Sequence, residues 1–76
     1  MSRSDSAPER YERKDEDSGL HEFWIGGTHG KAVTIHFGKV GTPGHRGSRE
    51  FDTIEAAKEF LTKRIQQKME EGYQKV

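Results

Sequence analysis

The sequence contains no cysteine, which excludes disulfides and any zinc site built on thiolates. Apolar residues are scarce, at 29% against 34% charged in a chain of 76 residues. No apolar run approaches the ~20 residues that a membrane-spanning helix requires. The opening Met1-Ser2-Arg3-Ser4-Asp5 lacks the apolar stretch of a signal peptide, so the expected location is cytoplasmic. Formal net charge is zero, which argues against a strong nonspecific polyanion binder.

Charge is nonetheless unevenly placed. Residues 1–22 carry four Lys/Arg against seven Asp/Glu, residues 23–52 four against two, and residues 53–76 five against four. The acidic excess lies at the N-terminal side. The glycine-rich middle is mildly basic and holds three of the four histidines. A local basic face can attract phosphates even when the whole chain is neutral. Blocks this small are also compatible with ordinary solvated surface.

A chain this short forms a single small domain with a modest core. The apolar candidates for that core are Tyr11, Phe23, Trp24, Ile25, Val33, Ile35, Phe37, Val40, Phe51, Ile54, Leu61, Ile65, Met69 and Tyr73. Residues 1–9 are polar and small and read as a disordered lead, leaving 10–76 as the domain. Tyr11–Asp15 suits a charged edge strand, and Asp17-Ser18-Gly19 a turn. Glu22–Ile25 reads as a strand with Phe23 and Ile25 on one face and Trp24 on the other. Gly26–Gly30 suggests a hairpin loop. In Lys31–Phe37 the apolar Val33, Ile35 and Phe37 alternate with Thr34 and His36, the period of a half-buried strand. Gly38–Gly47 reads as a connection and Ser48–Phe51 as a short strand. Asp52 is placed as a helix N-cap, with Glu55 completing a capping box. Ile54, Ala57, Leu61, Ile65 and Met69 then recur on one helical stripe. Gly72 suits a left-handed C-terminal stop, with Tyr73 folding back. These elements predict an α+β fold: a small antiparallel meander with one amphipathic helix packed on one face.

No catalytic constellation stands out. The only oxygen nucleophiles are Ser and Thr hydroxyls, and a domain this small has little volume for a deep pocket. Histidines 21, 29, 36 and 45 lack the close spacing that holds a metal rigidly. The glycine-rich segment lacks the spacing of a nucleotide phosphate loop, and its glycines read as turn residues. The expectation is a non-enzymatic protein with no metal and no cofactor, acting as a monomer.

Phe37-Gly38-Lys39-Val40-Gly41-Thr42 resembles the signature of the WGR family. There a Trp-Gly-Arg triplet is followed by a hydrophobic residue, Gly and Thr. His21–Ile25 is similar to the family's earlier aromatic strand. Phe51-Asp52 before the helix and the closing Gly72-Tyr73 also stand where the family places them. The resemblance spans roughly Arg10 to Val76. Two positions depart from it: Phe37 replaces the Trp and Lys39 the Arg.

The resemblance implies a WGR fold and a DNA contact, because in DNA-damage poly(ADP-ribose) polymerases the triplet meets a DNA end. Phe37 would then stack on a terminal base or sugar, beside Gly38, and Lys39 would meet a phosphate. Phe keeps a stacking face, whereas Lys keeps the charge but not the planar fork. Lys31, Arg46 and Arg49 are further phosphate candidates, and Trp24 a second stacking candidate. Core packing is the competing assignment for Phe37 and for Trp24. The partner is therefore a nucleic acid, DNA first, or alternatively a protein on which a regulatory module acts.

Overall fold

Alternation in the middle of the sequence becomes an antiparallel ladder. The computed structural model describes residues 6–76. The first five residues of the expected lead lie outside the described residues, and residues 6–9 are already strand. Five strands, β1 (Ser6–Asp15), β2 (Leu20–His29), β3 (Ala32–Lys39), β4 (His45–Glu50) and β5 (Gln74–Lys75), accompany one helix, α1 (Ile54–Glu70). They form one sheet in the order β4-β3-β2-β1-β5 with every pair antiparallel. The expected α+β meander with one packed helix is therefore the observed architecture. β5 was not anticipated. It pairs Lys75 with Tyr11 and Gln74 with Glu12, so the centre of β1 is not the free edge that its charge suggested.

Register sorts the side chains into two faces. The pairs Tyr11↔Trp24, Trp24↔Phe37 and Phe37↔His45 put these four residues in one row on the helix side. Tyr11, Trp24 and Val33 are buried there with Ala57, Leu61 and Tyr73. Ile35, Phe51, Phe60 and Ile65 pack around them. Val40, Phe37 and Met69, expected in the core, are instead 38%, 45% and 55% exposed. Val40 lies in the turn after β3. Met69 is in the last helical turn, where little sheet lies beneath it.

The expected Gly26–Gly30 loop is mostly strand, with Gly26, Gly27 and Thr28 buried inside β2. Gly26 is needed for close approach rather than for a turn. A β-carbon there would stand 2.6 Å from the Trp24 ring and 2.8 Å from Leu61 Cδ1. Its absence lets the indole and the helix close over the strand. Only Gly30-Lys31 form the turn itself.

Helix ends follow local chemistry. The N-cap is Thr53 rather than Asp52: Thr53 is extended, and its hydroxyl accepts from the Ala56 amide at 3.0 Å. That bond satisfies one of the unpaired first-turn donors. At the other end Gly72 has φ +106°. The Tyr73 amide donates to the Lys68 carbonyl and the Gly72 amide to that of Met69, the paired bonds of a Schellman stop. This turn folds Tyr73 back into the core at 9% exposure.

The helix crosses the sheet diagonally. In its first half Phe60 meets Phe51 at 5.0 Å between ring centroids. Just past its end the Glu71 carbonyl accepts from Arg13 on β1 at 3.2 Å. The sheet corner holding Phe37, Lys39 and His45 therefore stays open.

Candidate nucleic-acid interface

The triplet residues are presented by the end of β3 and the turn that follows it. Thr42 clamps that turn, its amide and hydroxyl both donating to the Lys39 carbonyl, at 3.1 and 2.7 Å. The Val40 amide donates to His21 at 2.8 Å, and His36 Nε2–H donates to the Pro43 carbonyl. Gly38 and Gly44 lie against one another, so that a β-carbon on Gly38 would meet Gly44 Cα at 2.7 Å. Gly44 has φ +71°, and a β-carbon there would run into the Phe37 carbonyl and the Phe23 ring.

The turn thus folds over the sheet face opposite the helix and roofs Phe23. That ring, 3% exposed, is enclosed by Gly44, by His36 edge-on at 5.0 Å, and by the Arg10 guanidinium at 4.8 Å. Phe23 is the centre of a second, smaller core. It forms the anvil on which the glycine-rich turn is shaped.

Phe37 itself is 45% exposed, with its ring 5.7 Å from that of His45. It lies on the helix side of the sheet, beyond the helix's reach. Lys39 follows two residues on, on the same face. Its cross-strand partner Glu22 is drawn away by Arg13 at 2.9 Å. Arg49 shares this face and lies over Phe51 at 5.0 Å and Phe60 at 5.5 Å, which holds its guanidinium in place. Among the described residues, Arg10, Arg13, Lys63, Lys68 and Lys75 are in ion pairs, whereas Lys31, Lys39, Arg46 and Arg49 have no carboxylate partner. Two unpaired cations, an exposed aromatic ring and an imidazole therefore face one side of β3 and β4.

Three of the candidates are placed elsewhere. Arg46 is on β4 but on the opposite face, across from His36. Lys31 lies in the β2–β3 turn, eight residues from Lys39 and so ~26 Å away along the strand. Trp24 is 3% exposed within the core, so its indole has no face free for stacking. Its period-two position opposite Phe23 is as expected, but that face is the one the helix covers. His45 was not singled out as a site residue. Only the strand's earlier start, at His45 instead of Ser48, brings it beside Phe37. No group of three His, Asp or Glu able to hold a metal occurs among the described residues.

On the open face Glu12 forms the hub of a short network. It accepts from Arg10 Nε and from His21 Nε2, both at 2.7 Å. The Arg10 hydrogen bond first, and the His21 bond second, hold its carboxyl below the ordinary 4.5. A lowered carboxylate pKa contributes stability that is complete above the unfolded value and is lost as pH falls through the folded one. Glu12→Gln should therefore show a smaller loss of Tm than the native chain between pH 6 and pH 3. Equal losses in a thermal-melt series would remove the network from the acid response. Asp15, also lowered by the Ser18 hydroxyl and by backbone N–H groups, supplies a remainder common to both.

A five-stranded antiparallel sheet crossed by one helix, with Phe37, Lys39 and His45 open at one corner, presents a surface rather than an enclosed site. The sequence profile of the WGR domain matches residues 9–76, nearly the whole chain, and the protein belongs to the WGR domain family. The uncharacterized protein YfeS of Escherichia coli (strain K12) is 34% identical over 58 residues, covering 76% of this chain and 24% of that protein. The chain thus spans about a quarter of that relative's length. A crystal structure of a Bacteroides fragilis protein superimposes with a TM-score of 0.86 at 24% identity, over 92% of this chain and 19% of that one. This likeness concerns the fold. No described helix is long and apolar enough to cross a membrane.

Proposed function

We propose that this WGR domain is a non-enzymatic, cytoplasmic nucleic-acid-binding module that contacts DNA, and DNA ends in particular. The observation that carries the reading is the exposed Phe37 ring beside Lys39 on a sheet corner whose cations have no carboxylate partner among the described residues. Phe37 stacks on a terminal base or sugar, and its neighbour His45 widens that platform. Lys39 and Arg49 meet phosphates on the same side. Arg46 meets phosphate only if the strand wraps around the β4 edge. Lys31 stands too far along β3 to share one contact with Phe37. Gly38 supports the site through backbone geometry, by letting the turn close.

Fluorescence anisotropy with blunt duplex, nicked duplex and single-stranded DNA at ~50 and ~200 mM salt tests this reading. Lys39→Glu should weaken binding to blunt duplex at least tenfold without changing the circular dichroism spectrum. Phe37→Ala should cost the roughly 1–3 kcal/mol of one aromatic stack and remove the preference for ends. Unchanged affinity in Lys39→Glu would sink the proposal.

A further inference from the structure

The two sides of the sheet are finished differently. At one side β5 covers the centre of β1, and the Val76 amide adds a bond to the Arg10 carbonyl at 3.2 Å. At the other, β4 pairs only with β3 among the described residues, and all six of its residues are exposed. Its outer backbone N–H and C=O groups are free to take another strand.

Beside this edge, on the helix side, runs a groove of about 450 Å3 between β4 and Phe60, floored by Ile35 and ending at Phe37. Gly47 lies at its middle, facing Ile35 across the ladder. A β-carbon on Gly47 would find nothing within 4 Å, so the groove is an open, mostly apolar notch. Arg49 stands at one end of it, fixed over Phe51 and Phe60. Arg46 projects from the opposite face of the same strand.

We infer that β4 is a docking edge for an extended acidic segment of a partner protein, which adds to the sheet as an antiparallel sixth strand. This goes beyond the nucleic-acid reading: it uses the backbone edge of β4 and the notch at Gly47, which border Phe37 and share Arg49 with that reading but do not involve Lys39. Antiparallel addition matches the rest of the sheet and is the more stable pairing per residue. The register then dictates chemistry. The partner residue opposite Gly47 points into the notch and is apolar. The residue two positions before it, on the same face, stands opposite Arg49 and is acidic. The residue immediately after it stands opposite Arg46, on the other face, and is also acidic. The recognised pattern is acidic, any residue, apolar, acidic. A second copy of this chain does not fill the notch, because β4, His-Arg-Gly-Ser-Arg-Glu, has no apolar side chain to stand opposite Gly47 in any register, even where pairing Ser48 with Ser48 sets Arg46 against Glu50. Arg46 and Arg49, one on each face of the strand, complement an acidic segment.

The test uses a fluorescein-labelled nine-residue peptide centred on aspartate-threonine-leucine-aspartate, titrated by anisotropy against the whole chain. Three controls accompany it: a peptide with leucine replaced by aspartate, one with its edge-facing amides N-methylated, and the Gly47→Val protein. Valine suits a strand and meets no atom at this position, so folding should survive, as a thermal melt will verify. The parent peptide should bind saturably, and each control should lose at least tenfold in affinity. No binding of the parent peptide, or equal binding of the N-methylated peptide or by Gly47→Val, overturns the proposal. Blunt-duplex binding measured on the same proteins separates the two readings. Gly47→Val should retain it, and Lys39→Glu should lose it while still binding the peptide.

Discussion

Trp24→Ala should leave this domain close to unfolded at 25 °C. Removing a buried aromatic side chain costs about 3–5 kcal/mol. A chain of 76 residues has roughly 4–11 kcal/mol in total, at the usual 0.05–0.15 kcal/mol per residue. Trp24 touches both layers. Its ring lies 6.1 Å from that of Tyr11, closes over Gly26, and belongs to the cluster with Ala57 and Leu61. Collapse of the surroundings into the vacated space is restricted, because the sheet backbone beneath is held by strands on both sides. It is the sole tryptophan, so the measurement is urea denaturation followed by circular dichroism instead of fluorescence. A loss below 1 kcal/mol would show that the indole is not the keystone of the helix–sheet interface.

The second large effect concerns the turn that presents the triplet. Gly44→Ala places a side chain at a left-handed φ, costing about 1–2 kcal/mol. Its β-carbon also collides with the Phe37 carbonyl and the Phe23 ring, adding about 1–3 kcal/mol as overpacking does. The sum, about 2–5 kcal/mol, corresponds to a fall in Tm of roughly 8–40 °C for a domain of this size. Gly41→Ala is the matched control. Gly41 has φ +93°, yet its β-carbon would meet nothing within 4 Å, so it should show the conformational cost alone. Equal melting temperatures for the two variants would mean that the contact between the turn and Phe23 has no energetic weight.

These two sites explain why the site was less legible in the sequence than the fold. The alternation in Lys31–Phe37 and the stripe Ile54, Ala57, Leu61, Ile65 are local periodicities, and each became the element it suggested. Glycine is ambiguous by contrast. Gly26 and Gly47 looked like turn residues, but both lie inside strands. One is there so that Trp24 and Leu61 can close in, and the other leaves a notch. Gly44 does serve a turn, but its second role, seating that turn on Phe23, depends on a residue twenty-one positions earlier. The cap moved from Asp52 to Thr53 because the helix begins where the chain leaves Phe51 packed against Phe60.

What the sequence determined by itself was the composition of the layers. Period two in the strands and period three to four in the helix require one sheet and one covering helix, and the Phe37–Thr42 motif names the family. Which face the helix covers was decided only by the tertiary structure. Trp24 and Phe37 lie on the same face of adjacent strands, and the sequence treats them alike. The helix's diagonal path from Phe51 to Arg13 buries the first and leaves the second in solvent. Pairing of charges was settled in the same way. Arg13 takes Glu22 from Lys39 because the sheet register and the helix end bring them together, and no local pattern encodes that choice. Exposure and unpaired charge, the two properties that make a binding surface, are set by contacts between distant parts of the chain.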